Sequence, residues 1–153
     1  MANPESVAQF TLDNFGNARI ATATAVSTAT AGNAVANLAI VSGGLTNGGA
    51  TSNSGAVIVR KVVATSLNGA VSSAYVTITT SNDGNASNAV VANVALSTLS
   101  AAGRYQDLPI TGAYGANTVV SGATTSTLFV NVTTVSGNTN TVNFSVYGDI
   151  VSF

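Results

Sequence analysis

Short stretches in which apolar and polar residues alternate are the clearest pattern along this chain. In residues 127–133 Leu or Val recurs at every second position, and in residues 142–147 Val, Phe and Val alternate with Asn, Ser and Tyr. Residues 75–79 follow the same rule with Val and Ile. Because successive side chains of a strand point to opposite faces, this period of two predicts strands with one buried face and one polar face.

Runs rich in β-branched and aromatic residues, separated by Gly, Asn and Ser, extend this prediction over the chain. The predicted strands lie at about residues 18–26, 34–42, 56–65, 73–80, 89–96, 104–111, 126–133 and 140–151. Pairs such as Asn68-Gly69 and Asp83-Gly84 supply the positive φ that hairpin turns need. No segment has the apolar spacing of a convincing amphipathic helix.

About eight strands without βα alternation predict an all-β protein, an antiparallel β-sandwich or jelly roll with an extended N-terminal arm. Residues 18–31 are mostly Ala and Thr, which offer little side-chain volume to a core. They suit an arm that pairs with a neighbouring molecule through its backbone, and they equally suit an ordinary edge strand. We therefore divide the chain into residues 1–33, an arm or edge segment, and residues 34–153, the sandwich domain.

The composition excludes most catalytic and metal chemistry. The 153 residues include no Cys, His or Trp, and charged residues make up 6% of them, against roughly 25% in an average soluble domain. Sites built on His or Cys, the Ser-His-Asp triad and disulfide frameworks are thus excluded. Asp107 and Asp149 could form the carboxylate pair of a glycosidase, but no Trp is present to stack on a sugar. We expect no enzyme, no cofactor and no metal, and we interpret the Asp83-Gly84 segment as a hairpin turn instead of a calcium loop.

The charge balance also restricts the partners. Four Lys and Arg residues, with a net charge of −1, are too few for the basic face that nucleic acids require. The mean hydropathy is +0.41, yet no apolar run approaches the ~20 residues of a membrane-spanning helix. The first ten residues lack the basic and apolar regions of a signal peptide. A surface with so little charge favours a protein that is covered in an assembly.

The few large or charged side chains are therefore the best candidates for an interface. Tyr buries apolar area and keeps a polar group, and aromatic residues near both termini indicate docked ends. The candidate interface residues are Phe10, Phe15, Arg19, Arg60, Lys61, Tyr105, Tyr114 and Phe153.

The adjacent pair Arg60-Lys61 interrupts an apolar run in a predicted strand. In a regular strand one of the two would face the core side. Two interpretations follow. The strand ends or bulges there, so that both side chains reach solvent, or one of them forms a salt bridge to Asp107, Asp149 or a partner subunit.

Residues 56–153 also carry a likeness to a known family. The likeness rests on five segments of this chain: Val59-Arg-Lys-Val-Val63, Val90-Val-Ala-Asn-Val-Ala-Leu-Ser-Thr-Leu99, Tyr105-Gln-Asp-Leu-Pro-Ile-Thr111, Thr127-Leu-Phe-Val-Asn-Val-Thr133 and Val142-Asn-Phe-Ser-Val-Tyr-Gly-Asp-Ile150. In the order and content of these segments the chain resembles the capsid decoration (cement) proteins of tailed bacteriophages. The resemblance implies a β-sandwich homo-oligomer, often a trimer, on the outer surface of the virion.

The expected function follows from that resemblance. The chain would be a virion structural protein whose partner is the major capsid protein, and it would stabilise contacts between capsid subunits of a phage head. Two alternatives remain open: a structural component of a phage tail or head fibre, and a jelly-roll carbohydrate-binding module.

Overall fold

The chain forms two antiparallel sheets. The computed structural model describes residues 18–40, 55–110, 118–121 and 127–152. Its strands are β1 (Ala18–Ser27), β2 (Gly32–Ala39), β3 (Gly55–Ser66), β4 (Tyr75–Thr79), β5 (Ala89–Ala95), β6 (Tyr105–Leu108), β7 (Thr118–Ser121), β8 (Thr127–Thr134) and β9 (Thr141–Ser152), with one 3-10 turn at Ala86–Asn88.

The strand order is that of a jelly roll. The first sheet has the order β1-β9-β3-β6, with β7 paired to β3 beside β6, and the second sheet has the order β2-β8-β4-β5. Apart from β7, each strand from the first half of the chain thus pairs with one from the second half, as 1–9, 2–8, 3–6 and 4–5. A long hairpin wrapped around a core produces this pairing. The all-β sandwich predicted from the sequence is confirmed.

Each of the eight predicted strands overlaps an observed one, and β7 is an additional, ninth strand. It has four residues, too few for alternation to stand out. The predicted N-terminal segment is described only from residue 18. From there it is β1, an edge strand of the first sheet, and the start of β2. The division at residue 33 stays a prediction.

Among the described residues, the core lies between the sheets and consists of aliphatic side chains and Phe144. In β9 the alternation is as expected, because Val142, Phe144 and Val146 are fully buried between less buried neighbours. The largest fully buried side chains include Phe144, Leu38, Ile78, Leu96, Leu99 and Leu128. One residue of β8 departs from the simple pattern. Asn131 lies on the outer face, as predicted, but it is only 2% exposed.

A connecting segment covers Asn131. The connection between β4 and β5 reaches β2, where Asn33 Nδ2 donates to the Asp83 carbonyl at 2.8 Å and Gly84 packs against the same side chain. Beneath it, Asn131 Nδ2 donates to Thr79 Oγ1 at 2.9 Å. The outer face of the second sheet therefore holds a small hydrogen-bonded polar layer, in which a buried amide costs little because it is paired.

Asparagine side chains also close one end of the sandwich. Asn68 Oδ1 accepts from the Thr141 amide at 2.8 Å, which joins the β3–β4 connection to the start of β9. Asn138 and Asn140 both donate to the Ala70 carbonyl, at 2.8 and 3.0 Å. Short amide side chains of this kind replace backbone partners in loops. The Asn residues that separate the predicted strands therefore connect the loops at this end of the sandwich.

Candidate functional site

The site begins with a bulge in β3. Val59 and Lys61 pair with the successive β9 residues Gly148 and Tyr147, so that the register shifts at Arg60. Val59 and Val62 are both fully buried, whereas Arg60 and Lys61 are both exposed. A bulge places two consecutive residues on the same side of a strand. Of the two interpretations of this pair, the bulge with both side chains in solvent is present.

Gly148 of β9 makes room for this bulge. A Cβ atom at residue 148 would overlap the carbonyl oxygen of Ile58 and would lie 3.3 Å from Ile20 Cδ1. Only glycine allows the backbones of β3 and β9 to approach so closely. The positions of Arg60 and Lys61 on the surface thus depend on a glycine in the neighbouring strand.

The salt bridge considered for this pair is present as well. Lys61 Nζ lies 3.2 Å from Asp107 Oδ2 on β6, and the two side chains are 51% and 58% exposed. An exposed pair of this kind contributes about 0–1 kcal/mol. Its main effect is to orient the two side chains across the boundary between β3 and β6.

The strand register brings further side chains to the same surface. Arg19 of β1 and Lys61 of β3 pair with Tyr147 of β9 from its two sides. Tyr105 of β6 pairs with Thr65 of β3, and β6 lies three strands away from β1 in the sheet. We call this surface, the outer side of the first sheet, the charged face. Its members are Arg19, Arg60, Lys61, Tyr105, Asp107 and Tyr147, and Arg104 lies at its edge, directly before β6.

A groove of about 590 Å³ runs along β6 at the edge of the charged face. It is lined by Thr98, Gly103, Arg104, Tyr105, Gln106 and Asp107. Gln106 is held in place, since its Nε2 donates to the Ala95 carbonyl at 2.8 Å and its Oε1 accepts from Thr98 Oγ1 at 3.0 Å. Tyr105, in contrast, is 69% exposed. The groove therefore combines a fixed amide with an aromatic ring that is open to a partner.

Four of the candidate interface residues, Arg19, Arg60, Lys61 and Tyr105, lie on this one face. The other four, Phe10, Phe15, Tyr114 and Phe153, lie outside the described residues. Tyr147, on the charged face, and Arg104, at its edge, were not among the candidates. The scarcity of basic residues would have pointed to Arg104. The position of Tyr147 between Arg19 and Lys61 depends on strand register, which local sequence does not reveal.

The backbone positions of the carboxylate pair considered for a glycosidase lie far apart. Asp107 pairs with Val63 and Asp149 pairs with Ile58, five positions further back along β3. This corresponds to roughly 15 Å along the strand. The two carboxyl groups of a glycosidase lie about 5–9.5 Å apart. In the part of the chain that the structure describes, no three His, Cys, Asp or Glu side chains are grouped to hold a metal ion.

The Asp83 carboxylate takes part in a turn. The Asn85 amide donates to Asp83 Oδ1 at 2.9 Å, and this bond, with a smaller contribution from the Ser81 hydroxyl, lowers the pKa of Asp83 below its usual 3.8. Asn85 Oδ1 in turn accepts from the Ser87 amide at 3.0 Å and begins the 3-10 turn. Local hydrogen bonding therefore accounts for the polar residues of this segment.

Fold and site together define a jelly-roll protein with a polar, aromatic-containing surface on one sheet. Comparison of the chain with protein-family models, with curated proteins and with solved structures gave no match. Within the residues described above, no helix has the length and apolar character needed to cross a membrane.

Proposed function

We propose that this chain is a capsid decoration protein, a structural component of a tailed-phage virion that binds the outer surface of the head. The observation that carries the proposal is the charged face, because this face and its edge gather most of the exposed ionic side chains of the described residues, together with the exposed Tyr105, on one sheet. Such a surface suits docking. The resemblance of residues 56–153 to decoration proteins supplies the identity of the partner, the major capsid protein.

The stabilising effect would come from linked binding. A protein that binds assembled capsid subunits and not separated ones lowers the free energy of the assembled state by mass action. The groups available for this purpose are hydroxyl, amide and backbone groups together with a few ions. No covalent step is required, and none is proposed.

The small number of ionic contacts that one charged face offers favours attachment through several copies. Exposed charges such as those of Lys61 and Asp107 contribute about 0–1 kcal/mol for each pair. A homo-oligomer, with a trimer favoured, would engage several such faces at once and multiply modest single contacts.

The proposal is tested on virions of the phage that encodes the chain. We expect mass spectrometry of purified particles to detect the protein in the head fraction. Heads that lack it should bind the purified full chain to saturation in sedimentation and should then disrupt at a higher temperature. Binding to tails alone would establish the fibre alternative instead. Absence from virions, together with saturable binding on a glycan array, would establish the carbohydrate-binding alternative.

A further inference from the structure

We infer that the charged face is the docking surface and that it fits an acidic protein surface. The inference rests on the proposed function and deepens it, because the proposed function points to the charged face but leaves open the chemistry of the capsid surface that this face meets. Three observations support the inference: the basic residues lie on the first sheet, the polar groups on the second sheet are already hydrogen-bonded, and the cations are few.

All four basic residues of the chain lie on the first sheet or at its edge: Arg19 on β1, Arg60 and Lys61 on β3, and Arg104 directly before β6. Even if Asp107 and Asp149 of the same sheet are both counted against them, this sheet keeps a positive balance. The chain as a whole has a net charge of −1. An acidic protein with its cations gathered on one sheet presents a local positive surface, which attracts a negative partner.

The opposite sheet is less suited to docking. Its outer face is partly covered by the β4–β5 connection, and the amide and hydroxyl groups beneath that connection already bond to one another. Asp83, the described carboxylate on that side, accepts from the Asn85 amide. Polar groups that are satisfied internally gain little from a partner. The exposed cations and Tyr105 therefore make the first sheet the better interface.

The number of cations favours a protein over a nucleic acid. Duplex binding typically uses 6–10 phosphate contacts. This face and its edge have four cations in all, and Lys61 already pairs with Asp107. Tyr105 and Tyr147 lie among them, and Tyr and Arg are the residue types enriched at protein interfaces.

Paired variants test the inference while leaving the Lys61–Asp107 salt bridge intact. The test variant is Arg19→Gln with Arg104→Gln, and the control is Asn37→Asp with Asn93→Asp on the second sheet. All four residues are exposed, and both double variants lower the net charge by two. We expect the test variant to bind heads at least about tenfold more weakly and the control to stay within about twofold of the unaltered chain. Binding of the unaltered chain should also weaken as salt is raised from 0.05 to 0.5 M, since exposed charges are screened.

Equal binding by both variants, or an equal loss in both, would overturn the inference while leaving the decoration role in place. Thermal melts of both variants check that each is folded. If the unaltered chain does not bind heads, the decoration role fails, and association with polyglutamate then tests whether the charged face binds acidic surfaces. Association that the test variant loses and the control variant keeps would support the inference. Failure of the unaltered chain to associate with polyglutamate would overturn it. Binding of duplex DNA that depends on Arg19 and Arg104 would also overturn the choice of a protein partner.

Discussion

At the scale of single residues, the shape of the charged face depends on a glycine of the neighbouring strand. Gly148 has no chemistry, yet the β3 bulge that exposes Arg60 and Lys61 requires it, because the Ile58 carbonyl occupies the space of a Cβ atom. The strand cannot move away without losing its pairing on both sides. A glycine of this kind differs from one that is needed only for its φ angle.

Gly148→Ala is therefore expected to lower the free energy of unfolding by about 3 kcal/mol or more, since overpacking a buried site forces backbone shifts. Gly103→Ala is the control. Gly103 has a φ of +75°, and a Cβ atom at this residue would meet nothing within 4 Å, so that only conformational strain of about 1–2 kcal/mol applies. Urea unfolding of both variants gives the comparison. Equal losses would show that close backbone approach at residue 148 is not the cause.

At the scale of elements, the edge strands β1 and β2 contain matching irregularities. β1 shifts register between Ala23 and Val26, and β2 shifts between Gly32 and Ala36. Each irregularity contains an alanine with positive φ, Ala25 at 52° and Ala34 at 49°. A non-glycine residue in this region costs about 1–2 kcal/mol, so something else must hold it there.

An asparagine of the neighbouring strand stabilises each irregularity. The Ala25 amide donates to Asn143 Oδ1 of β9, and the Ala34 amide donates to Asn131 Oδ1 of β8, both at 2.8 Å. The side-chain oxygen replaces the strand partner that each bulged amide has lost. Bulged edges of this kind also resist pairing with the strands of other molecules.

This arrangement predicts opposite effects for the two partners of one bond. Ala34→Gly should leave the free energy of unfolding unchanged or raise it by up to about 1 kcal/mol, because glycine adopts positive φ without strain. Asn131→Ala should lower it by about 1–3 kcal/mol, because the Ala34 amide and Thr79 lose their partner in a buried place.

Asn93→Ala serves as the control for these two variants. Asn93 is exposed and accepts from Thr133 Oγ1 at 2.7 Å, so its loss should change the free energy of unfolding by no more than about 0.5 kcal/mol. Chemical denaturation at one pH compares the three variants. A loss on Ala34→Gly as large as that on Asn131→Ala would contradict the role assigned to the bulge.

At the scale of the whole molecule, the response to pH follows from composition and one local interaction. The chain has no His and no Cys, the side chains that most often titrate near neutral pH. The pKa of Asp83 is lowered in the folded state by the Asn85 amide. A carboxylate with a lowered pKa contributes stability that is complete above its unfolded pKa, here about 3.8, and is lost as pH falls through the folded pKa.

We therefore expect the free energy of unfolding to be nearly constant between about pH 5 and 8 and to fall below about pH 4. Asp83→Asn should reduce the acid-side fall and leave the plateau flat. Urea titrations at a series of pH values measure both effects. A step in stability near pH 6.5, or an acid-side fall that is unchanged in Asp83→Asn, would contradict this account.

The sequence by itself determined that the chain is built of strands and which side chains of strands such as β9 face the core, although it did not show the burial of Asn131 on an outer face. Alternation in residues 142–147 predicts both the strand β9 and its buried Val142, Phe144 and Val146, because each residue's neighbours in the chain suffice to define the pattern. The same local information predicts the absence of long helices and excludes His- and Cys-based chemistry. It does not reveal β7, whose four residues are held by pairing with β3.

Only the tertiary structure decided which strands share a sheet, and thereby which residues share a face. Arg19, Lys61 and Tyr147 are far apart in the chain, and the jelly-roll pairing of β1, β9 and β3 sets them side by side. The bulge at Arg60 shifts two cations to one surface through contact with Gly148, a residue almost ninety positions away. Register and bulges come from cross-strand hydrogen bonds and close packing between distant segments, and for that physical reason local patterns do not contain them.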